Sequence, residues 1–256
     1  GKATNAFRID HAIHIRCELT GEELVSDVEP YADHPLVKLI SLMDHTPGTR
    51  QWRNLDDLKR YAMGTGEKTE EQFEADVAMR MDMGPRNLAR NWPVVVEMFR
   101  SRGIPIATHD DTTEADVALG RDSGAVISEF PTTVEAAAAA KKAGLATILG
   151  APNVVRGGSH SGGVSASHLA TQGLLDGLSS DYVPSSLLQA VIKLNADFAM
   201  PLHETMSMVT WKVADMVGLH DRGHLKPGLR ADILRFKAMD RTPVVHSVWS
   251  QGQRAF

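Results

Sequence analysis

Four side chains of metal-binding type close four separate apolar runs: Glu18 after Ile13 to Cys17, His45 after Val37 to Met43, His109 after Ile104 to Thr108, and Asp181 after Leu175 to Ser179. Imidazole and carboxylate together suit a divalent cation and leave a position open for water. Glu18, His45, His109 and Asp181 are therefore the candidate ligands of zinc, manganese, iron or magnesium. Asp181 is also the candidate catalytic base, because a carboxylate beside an activated water can take its proton and pass it to a leaving group. Gly177 and Ser179 leave room on its face of the strand. Each residue taken alone also admits a structural role: His45 capping a turn, His109 bonding an aspartate, Glu18 pairing with Arg16 or Arg50, Asp181 opening the helix after Pro184. Within His109-Asp110-Asp111, strand alternation groups His109 with Ala107 and Asp110 with Thr108 on opposite faces. Only one set can point inward, and the two aspartates read equally well as the charged start of a helix.

A second constellation is Asn153 followed by Arg156-Gly157-Gly158-Ser159-His160. A basic residue, a hydroxyl and glycine-permitted backbone N–H groups ahead of a helix suit a phosphate. No Gly-Lys-Ser/Thr follows, so it is not a nucleotide P-loop, and a lid without a ligand is the alternative. His11, His14, His34, His168, His203, His220, His224 and His246 carry no assigned chemistry. Met200, Met206, Met208 and Met216 read as core.

The elements that must hold these groups are strands and helices in alternation. Ile13 to Leu19 alternates with period two, and Val37 to Met43 is a second strand broken by Pro47-Gly48. Helical spacing across 52–102 predicts three helices, an insertion that could be a lid or an interface and leaves a homodimer open. Strands then end at His109, Glu129, Asn153 and Asp181. Helices follow at 114–121, 134–143, about 165–173, from Pro184 to about Met200, and from about His203 to Val217. Repeated β-α order implies a parallel sheet with crossover helices. Six polar strand ends spread along the chain favour a (β/α)8 TIM-type barrel over an open sheet with one switch point. Two strands are expected upstream of Gly1. From Gly218 the pattern becomes short β runs, so the barrel is placed at 1–217 and a C-terminal β segment of a small sandwich at 218–256. No internal repeat is read beyond the alanine run.

The 256 residues are 43% hydrophobic and 23% charged, enough for one large core and unlike a disordered or fibrous chain. Apolar runs fall far short of the ~20 residues of a membrane helix. Lys and Arg total 27 against 32 Asp and Glu, a net charge of -5 that gives no general pull toward nucleic acid or anionic lipid. One cysteine, Cys17, forms no internal disulfide, and no leader opens the chain, so a cytoplasmic location is expected. Gly1 is not an initiator methionine, and a segment ahead of it is expected.

The tail from Gly218 to Leu234, with His224-Leu225-Lys226-Pro227-Gly228, resembles the exit from barrel to sandwich in the amidohydrolase superfamily. Arg16-Cys17-Glu18, Leu42 to Gly48, His109 to Thr113, Glu129 to Thr133, Gly150 to Gly162 and Asp181 to Ser186 are similar to the signature blocks of one of its branches. The resemblance implies metal-dependent hydrolysis of a phosphorylated sugar, a ribose 5-triphosphate bearing a 1-methylphosphonate, to the 5-phosphate and pyrophosphate in phosphonate catabolism. Glu18, His45 and His109 would then be metal-site residues and Asp181 the acid-base. Members carry a His-x-His or His-x-Asp pair on the first strand, and none stands ahead of Glu18. Two other readings remain open: hydrolysis of a cyclic amide or a nucleobase, and a non-catalytic homologue or fragment.

Overall fold

The computed structural model describes residues 7–64, 69–159 and 162–256, and His160 of the expected phosphate loop lies outside them. Two compact units divide the chain. The larger holds Ile13–Thr147 and a short segment ending at Val164; the other holds the described residues before Ile13, Ile148–Ser159 and Ser165–Phe256.

The larger unit opens with strand β1 (Ile13–Glu18), helix α1 (Leu24–Val28) and strand β2 (Val37–Met43). β1 and β2 pair in parallel with Ile15 beside Ile40 and Glu18 beside Met43. Cys17 is fully buried at the end of β1, and burial pushes its thiol up to about 12. A 3-10 turn at Arg50–Trp52 leads into α2 (Leu55–Gly64) and α3 (Glu70–Arg100). Among the described residues the 52–102 stretch thus holds two helices, not the expected three. α3 runs 31 residues through Pro85 and Pro93, opened by a capping box between Thr69 and Gln72. A proline removes one N–H from the ladder, but flanking turns packed on a core keep the helix going.

Packing explains why α3 is long. Asn87, Asn91, Val95 and Phe99, four apart, form its buried face. Phe99 and Val95 join Leu19, Ile40, Leu42 and Ile106 in one core, each such side chain stabilising the fold by about 1.5–3 kcal/mol. The asparagines do positional work: Asn87 Nδ2 donates to the Thr20 carbonyl (2.9 Å), and Asn91 Nδ2 to those of Leu19 (2.9 Å) and Gly21 (2.7 Å). These bonds fix the chain directly after Glu18. Farther along, a Cβ on Gly84 would stand 2.8 Å from Thr46 Oγ1, so glycine there lets the helix approach the loop that carries His45. Arg80 Nη2 donates to the His45 carbonyl at 2.7 Å.

Next come β3 (Ile106–His109), α4 (Glu114–Asp122), β4 (Ile127–Glu129) and α5 (Val134–Lys142). These two β-α units are an internal repeat of twenty residues, correcting the expectation of none. Thr112-Thr113 recurs as Thr132-Thr133 and Gly124 as Gly144. Thr113 and Thr133 both cap their helices through N3. The sheet sets His109 beside Glu129.

β5 (Ala146–Gly150) leads into the second unit, where it pairs in parallel with β6 (Gly177–Ser179). The strand order is β1-β2-β3-β4-β5-β6, that of the chain. Helices α6 (Ala151–Arg156), α7 (Ala166–Thr171) and α8 (Ser186–Phe198) follow. Where one helix was expected from about His203 to Val217, two short ones form, α9 (Leu202–Ser207) and α10 (Trp211–Met216). The unit closes with the antiparallel strands β7 (Ile233–Met239), β8 (Thr242–Ser250) and β9 (Gln253–Arg254). Six parallel strands are therefore described, not the eight of a closed barrel. No helix among the described residues is long and apolar enough to cross a membrane.

Candidate metal centre

Parallel register brings the ends of β1 to β4 together in the larger unit. His45 and His109 lie with their ring centroids 5.7 Å apart. His45 Nε2 is 3.5 Å and His109 Nδ1 3.0 Å from one oxygen, Asp110 Oδ2. That oxygen and both ring nitrogens of His109 are buried without a hydrogen-bond partner. Buried polar atoms are nearly always satisfied, so His109 Nδ1 and Asp110 Oδ2, orphaned 3.0 Å apart, mark a place built for something else. Ligand bonds of about 2.0–2.2 Å to a divalent cation put neighbouring donors about 3.0–3.5 Å apart. His45, His109 and Asp110 have that spacing and that chemistry, with one donor atom from each within 4.8 Å of the others.

Asp110 reaches this point because it leaves strand geometry. Its φ is +55°, in the left-handed region that aspartate tolerates, so the alternation that placed His109 and Asp110 on opposite faces does not apply. Its N–H donates to the Glu129 carbonyl at 2.9 Å. Asp111, next along, turns away: it accepts from Thr108 Oγ1, from Ser128 Oγ (2.6 Å) and from Arg50 Nη1 (2.9 Å). Arg50 also donates to the His109 carbonyl at 2.8 Å.

Electrostatics follow from these contacts. Burial alone would depress His45, but Asp110 and Glu18 outweigh it and raise the imidazole to about 9. Burial alone would raise Asp110, but the two histidines hold its carboxyl down at about 2. The cluster is thus arranged to host positive charge, whether a proton or a cation. Glu18 is held below its ordinary value against the cost of its burial, by His45 and Thr20.

Of the candidates read from sequence, Glu18, His45 and His109 come together. Glu18 pairs with neither Arg16 nor Arg50; its Oε2 meets His45 Nδ1 at 2.5 Å and its Oε1 accepts from Thr20 Oγ1 at 2.7 Å. It stands behind His45, on the ring nitrogen away from Asp110. Asp181 belongs to the other unit, where it is exposed, has φ +48° and donates its backbone N–H to Ser179 Oγ (3.2 Å). In the same unit Asn153 and Arg156 lie in α6, not in a loop, because Pro152 in the first turn starts a helix there. Gly157, φ +90°, ends it: the Gly157 and Gly158 N–H groups go to the carbonyls of Asn153 and Val154. Those two donors expected for phosphate therefore serve a helix cap. Asn153 Oδ1 accepts from the Ala166 N–H at 2.9 Å and opens α7.

Sequence reading missed three groups. Glu129, read only as a strand end, has Oε2 3.8 Å from His109 Nε2. Ser41 Oγ donates to that Oε2 at 2.6 Å, and His14 Nε2 lies 2.5 Å from Ser41 Oγ. The available signal was a hydroxyl inside the apolar run from Leu39 to Met43.

A parallel β-α body with imidazole and carboxylate groups at its strand ends has counterparts among solved structures. An amidohydrolase from Thermotoga maritima MSB8 matches with a TM-score of 0.53 at 18% identity, over 85% of this chain and 62% of that one. An N-acetylglucosamine-6-phosphate deacetylase from Pasteurella multocida matches with a TM-score of 0.56 at 12% identity, over 98% and 69%. At these identities the likeness is one of fold. The chain shares its fold with these two structures. In sequence it is similar to the alpha-D-ribose 1-methylphosphonate 5-triphosphate diphosphatase of Escherichia coli (strain K12), 41% identical over 253 residues, 97% of this chain. The chain spans 66% of that relative's length. No family model matches it.

Proposed function

We propose that this chain carries the cation-binding part of a metal-dependent hydrolase that cleaves a phosphoanhydride of alpha-D-ribose 1-methylphosphonate 5-triphosphate, leaving the 5-phosphate and pyrophosphate. The observation that carries the reading is the convergence of His45, His109 and Asp110, with His109 Nδ1 and Asp110 Oδ2 buried and unbonded, in a chain 41% identical to a diphosphatase named for that substrate. His45, His109 and Asp110 hold the cation, which is zinc, manganese, iron or magnesium, and Glu18 orients His45 from behind. A divalent cation at this point supplies Lewis acidity toward a phosphoryl oxygen and makes water a better nucleophile. Asp181 takes a proton from the attacking water and returns it to the leaving pyrophosphate. Arg156, Ser159, His160 and the Asn153 amide contact the phosphates. In the same reading the six parallel strands belong to an eight-stranded barrel, residues 218–256 to a small sandwich, and the enzyme to the cytoplasm.

The test is pyrophosphate release by the full chain loaded with zinc or manganese, alongside the metal-free chain. Metal-dependent release is expected. Stoichiometric metal with no release would leave a binding-only homologue, and no bound metal would sink the centre itself.

A further inference from the structure

His45 and Arg50 stand on one closed loop after β2. The Gly48 N–H donates to the Trp52 carbonyl at 3.0 Å, the Trp52 N–H to that of Thr49 at 2.9 Å, and Thr49 Oγ1 to that of Thr46 at 2.8 Å. Asp44 Oδ1 accepts from the Thr46 N–H (3.0 Å) and hydroxyl (2.6 Å), and Asp44 Oδ2 lies 3.8 Å from Arg50 Nε. From this loop the buried Arg50 side chain reaches the end of β3. Its Nη1 donates to the His109 carbonyl at 2.8 Å and to Asp111 Oδ1 at 2.9 Å. Its Nη2 lies 3.6 Å from Asp116 Oδ1, in the first turn of α4. One guanidinium thus joins the loop that carries His45 to both sides of the turn that carries Asp110.

Two observations set this contact apart from an ordinary buried ion pair. Arg50 has φ +44°, a left-handed backbone that strains any residue with a Cβ and suits glycine. The place carries an arginine all the same, so the side chain is what it requires. The second observation is the matched turn of β4, which has the same shape, φ +56° at Phe130, although Pro131 stands where β3 has Asp111. Such a turn therefore forms without a carboxylate for an arginine to grip. What the contact adds in β3 is a tie between the two histidine-bearing segments. His45 lies past the end of β2, and groups on loops hold a site's spacing less well than groups on strands unless their supports lock them. Arginine suits the task, because its planar fork holds five N–H donors in fixed directions, whereas lysine offers a single point of charge.

We propose that Arg50 is a positioning residue: from the loop that carries His45 it grips the strand end that carries His109, and so sets the spacing of the two imidazoles and Asp110 for one cation. The inference rests on the metal-centre reading above.

The experiment uses the full chain and Arg50→Lys, which keeps the charge and loses the fork. Zinc affinity is measured by competition with a chromophoric chelator, and the visible spectrum of bound cobalt reports the geometry of the donors. In folded Arg50→Lys a fall in zinc affinity of about 10–100-fold is expected, as for other supports of metal ligands, together with shifted cobalt bands. Unchanged affinity in that variant overturns the inference. Trp92→Phe, which removes the indole bond to Ser123 Oγ (2.9 Å) and touches neither segment, is the stability control. It is expected to melt lower and to bind zinc as the unaltered chain does; a loss equal to that of Arg50→Lys would mean that affinity merely follows stability, and overturns the inference. Should Arg50→Lys fail to fold, Arg50→Met combined with Asp111→Asn removes both charges together, and the same outcomes apply. Absence of zinc binding by the unaltered chain refutes the metal-centre reading instead. Crystal structures of the metal-free chain and variant then decide this one: a changed separation of the His45 and His109 rings from 5.7 Å is expected, and the same separation overturns it.

Discussion

The ends of β3 and β4 are one backbone written with two sets of side chains. Asp110 and Phe130 have φ of +55° and +56°, and Gly124 and Gly144 have +87° and +81°. The N–H of Ala125 reaches back to the Gly120 carbonyl, as that of Leu145 does to Ala140. Thr112 and Thr132 touch through their hydroxyls at 2.8 Å, and Thr133 Oγ1 donates to the Thr112 carbonyl at 2.7 Å. On this shared frame β3 presents His109-Asp110-Asp111 and β4 presents Glu129-Phe130-Pro131. Aspartate at the left-handed position swings a carboxylate back over its own histidine. At the same position in β4 a phenyl ring lies 5.3 Å from the His109 ring, as an apolar wall. Backbone geometry and chemistry are thus separable here: the turn decides where a side chain goes, and its identity decides whether that place binds charge.

Replacing the residue at each left-handed position breaks the comparison most directly. Asn is at ease at positive φ, so Asp110→Asn keeps the turn and removes only the charge. Zinc affinity is expected to fall by more than about 100-fold, beyond the loss usual for an outer partner of a ligand. Phe130→Leu, which alters only the wall, is expected to change it by a small factor. Isothermal titration of both variants checks this, and equal losses would show that the two ends do not divide the work as described.

The pH dependence sharpens the same point. In the metal-free chain His45 titrates at about 9, so below that value a cation must displace its proton. Apparent zinc affinity is expected to rise about tenfold per pH unit up to about 9 and then level off. With Asp110→Asn the levelling should come at lower pH, since one of the two carboxylates that raise His45 is gone. Stability of the metal-free chain has the opposite sign. His45, raised from 6.5, contributes stability that is complete below 6.5 and is lost as pH rises through about 9. Asp110, lowered from 3.8, contributes stability that is complete above 3.8 and is lost as pH falls through about 2. The melting temperature should therefore be highest between these windows, and melts from pH 2 to 10 check it.

Residue patterns revealed the strands and two of the three side chains that cluster at their ends. β1 and β2 follow from alternation and from a β-branched run stopped by proline and glycine, and His45 and His109 follow from standing where those runs stop. Asp110 was hidden by a rule that holds within strands and fails one residue past them, where a positive φ cancels alternation. Glu129, Ser41 and His14 were hidden because what joins them is register between strands: Ser41 and Glu129 are 88 residues apart and meet only through the parallel sheet. Phosphate chemistry was over-read at Gly157 and Gly158, since a glycine that frees an N–H for a ligand and one that ends a helix look alike without the helix before it. Three helices were expected in 52–102 because its apolar residues fall in three helically spaced blocks, and the last two join in one helix that runs through Pro85 and Pro93 on the buried face from Asn87 to Phe99.

The repeat also contains a compensating exchange away from the charged groups, with the smallest expected effect. At matched positions β3 and α4 carry Thr108 and Gly120, while β4 and α5 carry Ser128 and Ala140, and all four are buried. A Cβ on Gly120 would stand 2.2 Å from Thr108 Cγ2, the methyl that Ser128 lacks. Turning that methyl aside would take Thr108 Oγ1 away from Asp111. Gly120→Ala gains up to about 1 kcal/mol of helix propensity, but overpacking of this kind costs about 1–3 kcal/mol, so net destabilisation is expected in urea unfolding. Thr108→Ser keeps the hydroxyl and removes the methyl, which makes the β3 unit resemble the β4 unit. In that background Gly120→Ala should become neutral or stabilising. Equal cost in both backgrounds would mean that the two units differ in backbone as well as in side chains.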